Sequence, residues 1–129
     1  MSLPEINESY GDISLLELMK ESNKTAIEHG WWDLPLIGGI PVERNIGEIL
    51  SLWHSEISEA LEEWRNGRQI DEIYYEANGK PAGFPVEVAD LLIRISDICE
   101  HNGIPVIRAL KEKMSYNKTR PYRHGGKRA

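Results

Sequence analysis

Two pairs of carboxylates at helical spacing stand out: Glu56 with Glu59, and Glu87 with Asp90, with twenty-seven residues between the pairs. Residues three apart on a helix lie one above the other, so each pair can turn both acids toward one point. Two such pairs on helices that pack together would bring four carboxylates to one place. Like charges at half-buried positions repel and lose hydration, and the arrangement survives only if protons or cations neutralise it. With oxygen donors alone the fitting cation is Mg²⁺, with Mn²⁺ as a substitute. A carboxylate-bridged di-iron centre would need Glu-x-x-His on each of two helices. None of His29, His54, His101 and His124 has a Glu three residues before it. The ordinary alternative for any acidic column is a solvated helix face. Here the pair is repeated, the first pair lies with Glu63 at the edge of an apolar stripe, and the second has apolar surroundings.

A second kind of chemistry sits near the C-terminus. Lys113, Asn117 and Arg120 fall beside the apolar face of a helix defined by Val106, Ile107, Leu110 and Met114. Basic side chains at a helix C-terminus can simply snorkel into water and complement the helix dipole. Facing an acidic metal cluster, they would instead be donors to a polyphosphate. Arg123, Lys127 and Arg128 extend the charge, and Gly125-Gly126 would let the basic tail fold over a ligand. Trp31 and Trp32 lie in a Gly/Pro-rich loop with no periodic core to join; they either stack on a base or close the bottom of the fold. Trp53 and Trp64 belong to an apolar stripe and read as packing, and His54 lies off the acidic column.

The elements that must position these groups are helices. Ser14 with Glu17 has capping-box spacing and opens a helix over 15–28, ending before Gly30. Asn45 with Glu48 repeats that spacing and opens a helix over 46–66, carrying Ile46, Ile49, Leu50, Trp53, Ile57, Ala60, Leu61 and Trp64 at helical period. Residues 68–84, with Asn78-Gly79-Lys80-Pro81, read as a loop with room for a short hairpin. Pro85 suits the first position of a helix over 85–101, stopped by Asn102-Gly103, and Pro105 opens a fourth over 105–117 before a basic tail over 118–129. Four amphipathic helices predict an all-α four-helix bundle. The third helix is apolar at nine of the fourteen positions from Val86 to Cys99, more than one face. So small a chain can hardly cover it alone, and the reading predicts completion by a second or further copies, as a homodimer or homotetramer.

Length and composition agree with one domain over residues 1–129: 40% of residues are hydrophobic and 28% charged, enough for a core and too much for a disordered chain. The single cysteine, Cys99, excludes an internal disulfide framework and a thiolate zinc site within one chain, and fits a reducing cytoplasm. No apolar run is long enough to span a membrane, and the N-terminus has no leader pattern. Residues 111–129 hold seven Lys/Arg against one Glu, which leaves a net −12 on residues 1–110. So acidic a body argues against a stable nucleic-acid partner.

Taken together, Glu56-Ile57-Ser58-Glu59, the spacer, Glu87-Val88-Ala89-Asp90 and the stretch from Glu112 to Tyr122 resemble the MazG-like all-α nucleoside triphosphate pyrophosphohydrolases. The likeness runs from about Asn45 to the C-terminus. It implies that Glu56, Glu59, Glu87 and Asp90 bind Mg²⁺, that Lys113, Asn117 and Arg120 hold phosphates, and that an NTP or dNTP is cleaved between its α- and β-phosphates to give the monophosphate and pyrophosphate. A carboxylate not consumed by metal, Glu59 or Glu63, would accept the proton of the attacking water. The competing reading is a non-catalytic helical module that senses a nucleotide or a metal.

Overall fold

A computed structural model describes residues 11–122 and contains four helices: α1 (Leu15–Glu28), α2 (Ile46–Arg65), α3 (Phe84–His101) and α4 (Val106–Thr119). Two antiparallel two-stranded hairpins fill the longer connections: β1 (Leu36–Ile37) with β2 (Ile40–Pro41), and β3 (Tyr74–Tyr75) with β4 (Pro81–Ala82). The residues named for the basic tail, Arg123, Gly125, Gly126, Lys127 and Arg128, lie outside the described residues. Among the described residues no helix is long and apolar enough to cross a membrane.

Local chemistry accounts for the helix ends. The Ser14 hydroxyl accepts from the Glu17 N–H at 3.2 Å and donates to Glu17 Oε1 at 3.0 Å, a closed capping pair. Asn45 Oδ1 accepts from the Glu48 N–H at 3.1 Å. In the α2–α3 connection Asn78 Oδ1 accepts from the Lys80 N–H at 3.0 Å, which tightens the turn between β3 and β4. α3 begins one residue before Pro85, at Phe84, because Gly83 with φ 122° acts as its N-cap. That glycine is buried, and a Cβ placed on it would meet the Glu72 backbone oxygen.

α3 is the central element. α1 packs along one side of it and α2 along another, while α1 and α2 make no extended contact with each other. The buried apolar set is drawn from all three helices and β4: Met19, Ile49, Ala60, Ala82, Ile98 and Cys99. α4 packs extensively on none of the other elements and buries no residue. The helix content is as expected, but within one chain the expected four-helix bundle is three packed helices with the fourth standing off. The apolar face of α4 gives out along its length: Val106 and Ile107 are half-buried at its start, while Leu110 and Met114 beyond them stand exposed among a dense set of charges.

The buried edge of α2 also differs from expectation. Ile49, Glu56 and Ala60 face the core. Ile46, Leu50, Ile57, Leu61 and Trp64, the other half of the apolar stripe, are exposed, Trp64 to 59%. The helix is turned so that Glu56, from its acidic column, is enclosed with Ile49 and Ala60 while the far side of the stripe faces water.

Gly83→Ala must place a Cβ against the Glu72 carbonyl in a backbone region costly to other residues, and is expected to lose about 2–3 kcal/mol in urea denaturation. Gly67, with φ 88° but open space around a Cβ, serves as the comparison, and Gly67→Ala is expected to cost only about 1 kcal/mol. Equal losses would contradict a packing role for Gly83.

Candidate metal centre

Because the acidic edge of α2 faces α3, Glu56 meets the α3 pair. Glu56, Glu87 and Asp90 each offer a carboxylate oxygen, and these oxygens all lie within 4.8 Å of one another. The three grade outward, with Glu56 at 4% exposure, Glu87 half-buried and Asp90 open to solvent. Glu59 falls outside this tight group but lies against Glu87, close enough to share a proton with it. Three of the four expected acids therefore converge directly and the fourth joins through Glu87.

The charge balance here is poor. Arg94, one turn beyond Asp90, donates from Nε to Glu56 Oε1 at 2.8 Å. With every carboxyl ionised, Glu56 Oε2 and Glu87 Oε2 are buried without a hydrogen-bond donor. An unpaired buried acceptor costs on the order of 1–3 kcal/mol, more when it is ionised. Burial, then hydrogen bonding and repulsion from Glu59, with further contributions from Glu56 and Asp90, push the Glu87 carboxyl up to about 7. Two orphaned buried oxygens among hard carboxylate donors are what a Mg²⁺-type cation would satisfy, so the residues fit such an ion.

A cleft of about 540 Å³ opens beside the acids. It exists because α1 and α2 both lean on α3 and not on each other. Its walls are largely apolar, with Leu18, Ile49, Leu52, Trp53 and Ile93, and Asp90 and Arg94 stand where it meets the acidic group. Sequence reasoning did not find this cleft, since it depends on the splay of α1 from α2. Nor did it assign a role to Arg94, although the spacing Glu87, Asp90, Arg94 already placed the arginine on the acidic side of α3.

The remaining expected site residues separate. Trp31 is 69% exposed and lines the cleft. Trp32 is enclosed instead: its ring stacks on His101 with centroids 3.5 Å apart, the Arg44 guanidinium lies over the ring at 4.7 Å, and Nε1 donates to Asp97 Oδ1 at 2.9 Å. Of its two expected roles, stacking on a base and closing the fold, the geometry leaves only the second, because both ring faces are taken. Asn23 Nδ2 joins the same network through Asp97 Oδ1 at 2.9 Å and His101 Nδ1 at 3.0 Å, tying α1 and the Trp loop to α3. Glu63 accepts the Tyr74 hydroxyl on both oxygens, at 2.9 and 3.0 Å. It anchors the β3 hairpin, so of the two expected base candidates Glu63 is committed to the fold, whereas Glu59 is exposed and stands beside Glu87.

Lys113, Asn117 and Arg120 are not brought to the acids within one chain, because α4 does not pack on α2 or α3. Two of them gather around Tyr116, with Lys113 Nζ 5.1 Å and the Arg120 guanidinium 5.9 Å from its ring. No protein-family model, curated protein or solved structure matches the chain significantly.

The raised Glu87 carboxyl has a pH signature. A group that holds its proton more tightly when folded stabilises the fold below its unfolded pKa and loses that stabilisation as pH rises through the folded one, here from about 4.5 to about 7. In a chelator, the wild-type melting temperature is expected to fall relative to Glu87→Gln, a permanently neutral mimic, by on the order of 5 °C between pH 5 and pH 8. Millimolar Mg²⁺ should remove that fall. Parallel curves for the two proteins would show that Glu87 does not titrate under pressure from its neighbours.

Proposed function

We propose that the chain is a Mg²⁺-dependent nucleoside triphosphate pyrophosphohydrolase, cleaving an NTP or dNTP between the α- and β-phosphates to release the monophosphate and pyrophosphate. The observation that carries this reading is the convergence of Glu56, Glu87 and Asp90, with two buried orphan oxygens, at the edge of a cleft large enough for a nucleoside. The motif spacing in the sequence and the helical fold are consistent with it.

In this reading Glu56, Glu87 and Asp90 hold the cation, with Mn²⁺ as a substitute for Mg²⁺. The ion would supply Lewis acidity toward the phosphorus and lower the pKa of a bound water. Glu59, beside Glu87 and open to solvent, accepts the proton of the attacking water. Phosphoryl chemistry asks mainly for positioning and for neutralised oxygens, which a rigid acid cluster on two packed helices provides. Trp31 and Trp53 offer aromatic surface in the cleft for the base.

The working unit in this reading is a homo-oligomer, dimer or tetramer, in the cytoplasm, without a stable nucleic-acid partner. A fourteen-residue helix is marginal in water without tertiary contacts, and α4 has almost none in its own chain. The exposed α2 line of Ile46, Leu50, Ile57, Leu61 and Trp64 is likewise uncovered, and Met114 on α4 is 60% exposed. A second copy packed on these faces buries both and brings its Lys113, Asn117 and Arg120 toward the acids, where they would hold the departing pyrophosphate.

Pyrophosphate release measured over the eight common NTPs and dNTPs, with and without Mg²⁺, tests the activity. Glu59→Gln and Asp90→Asn are each expected to lose at least about 10²-fold in turnover. Wild-type rates in both would refute the site, and saturable nucleotide binding without turnover would favour the sensing module. Light scattering is expected to give at least a dimer mass at micromolar concentration, and a monomer for Ile57→Glu/Leu61→Glu; a monomeric wild type overturns the oligomer.

A further inference from the structure

Along α3, Glu87, Asp90, Arg94, Asp97 and His101 form one polar line on a helix whose other positions, Ser96 and Glu100 apart, are apolar. Its two ends are accounted for, by the acidic group and by the Asn23–Asp97–Trp32–His101 network. Arg94, in the middle, is not. Its Nε is engaged with Glu56 at 2.8 Å, yet the side chain remains 46% exposed and lines the cleft. Among the described residues neither Nη of Arg94 has a partner. The other arginine of the cleft, Arg44, lies over the Trp32 ring and is held there.

We propose that Arg94 is a phosphate clamp of the cleft: with Nε fixed on Glu56, its free Nη groups bind the anionic oxygen of a ligand whose planar body occupies the apolar cleft. The guanidinium fork suits this role. It presents donors in a rigid plane, so one edge can stay on a carboxylate while another meets a phosphoryl oxygen. The position is also suitable, since Arg94 shares the boundary between cleft and acids with Asp90. A phosphate held there lies next to the carboxylates, and the charge it adds to an already overloaded acidic group is offset by the cation nearest to it. The ligand class is a nucleoside carrying a phosphate on its sugar, and the clamped group is the one that stays with the nucleoside. This identification rests on the proposed hydrolase reading, whereas the clamp itself rests on the geometry of Arg94. It separates the phosphate contacts into two sets: Arg94 from the chain that owns the cleft, and the α4 residues for the end that leaves.

The test compares the four common nucleoside 5′-monophosphates with their parent nucleosides in Mg²⁺ buffer, by titration calorimetry and by quenching of Trp31 and Trp53, for wild type, Arg94→Gln and Arg94→Lys. Wild type is expected to bind at least one monophosphate about tenfold or more tightly than its nucleoside, the weight of one charge-assisted hydrogen bond. Arg94→Gln should abolish that preference and leave nucleoside affinity unchanged. Because Arg94→Gln also strands the buried Glu56, Arg94→Lys is the safer variant: it keeps the charge but loses the fork, and should reduce the preference several-fold at an unchanged melting temperature. No preference in wild type, or a preference that survives both substitutions, overturns the clamp. An Arg94-dependent preference in a protein that turns over no nucleotide leaves the clamp standing and removes the hydrolase reading. Turnover with a preference indifferent to Arg94 does the reverse.

Discussion

The structure depends on one electrostatic constraint: Glu56, Glu59, Glu87 and Asp90 stand together at the α2–α3 contact with Arg94 as the cation paired among them. α2 could have buried the middle of its apolar stripe against α3. It is turned instead so that Glu56 is among its most enclosed residues, with Ile49 and Ala60 above and below. That rotation leaves half the stripe in water and two carboxylate oxygens without donors. An arrangement that gives up apolar burial to concentrate like charge loses stability unless a ligand repays it, and sites of that kind are where perturbed acids do chemistry.

The α3 line expresses the same constraint along the helix. Toward its N-terminus it presents acids to α2, toward its C-terminus it presents Asp97 and His101 to α1 and the Trp loop, and Arg94 stands between the two. The C-terminal network is well partnered, with Asp97 Oδ1 accepting two donors and the Trp32 ring stacked on His101 beneath the Arg44 guanidinium. It fixes where α1 lies and so holds the cleft open. The N-terminal group is under-partnered. One half of the line therefore serves as scaffold and the other as reactive surface, with the cleft running over both.

Much of this was legible from residue order. Asn45 with Glu48, Gly67, and Asn102-Gly103 are local signals that act within a few residues, and they located the helices to within about two positions. The i, i+3 spacing of the acids is likewise local, and it placed Glu56, Glu87 and Asp90 on facing lines. What depended on rigid-body geometry was not legible. Period alone cannot say which edge of the α2 stripe is buried, that α1 and α2 splay to leave a cleft, or that α4 stands off. Lys113 and Asn117 sit on the expected helix and Arg120 is its C-cap, but no extensive intrachain packing carries that helix to the acids. Tyr74 on Glu63, and His101 and Arg44 on Trp32, are long-range pairings with no signature in spacing.

The central claim is that the acids of α2 and α3 form a site for a divalent cation. The most direct test is a crystal structure of the wild-type protein grown with Mn²⁺, with data collected at the manganese absorption edge. The account requires an anomalous peak among Glu56, Glu87 and Asp90, with Glu56 Oε2 and Glu87 Oε2 turned onto it. Mn²⁺ elsewhere in the crystal but none among these three carboxylates, with Glu56 still held by Arg94 alone, would contradict it.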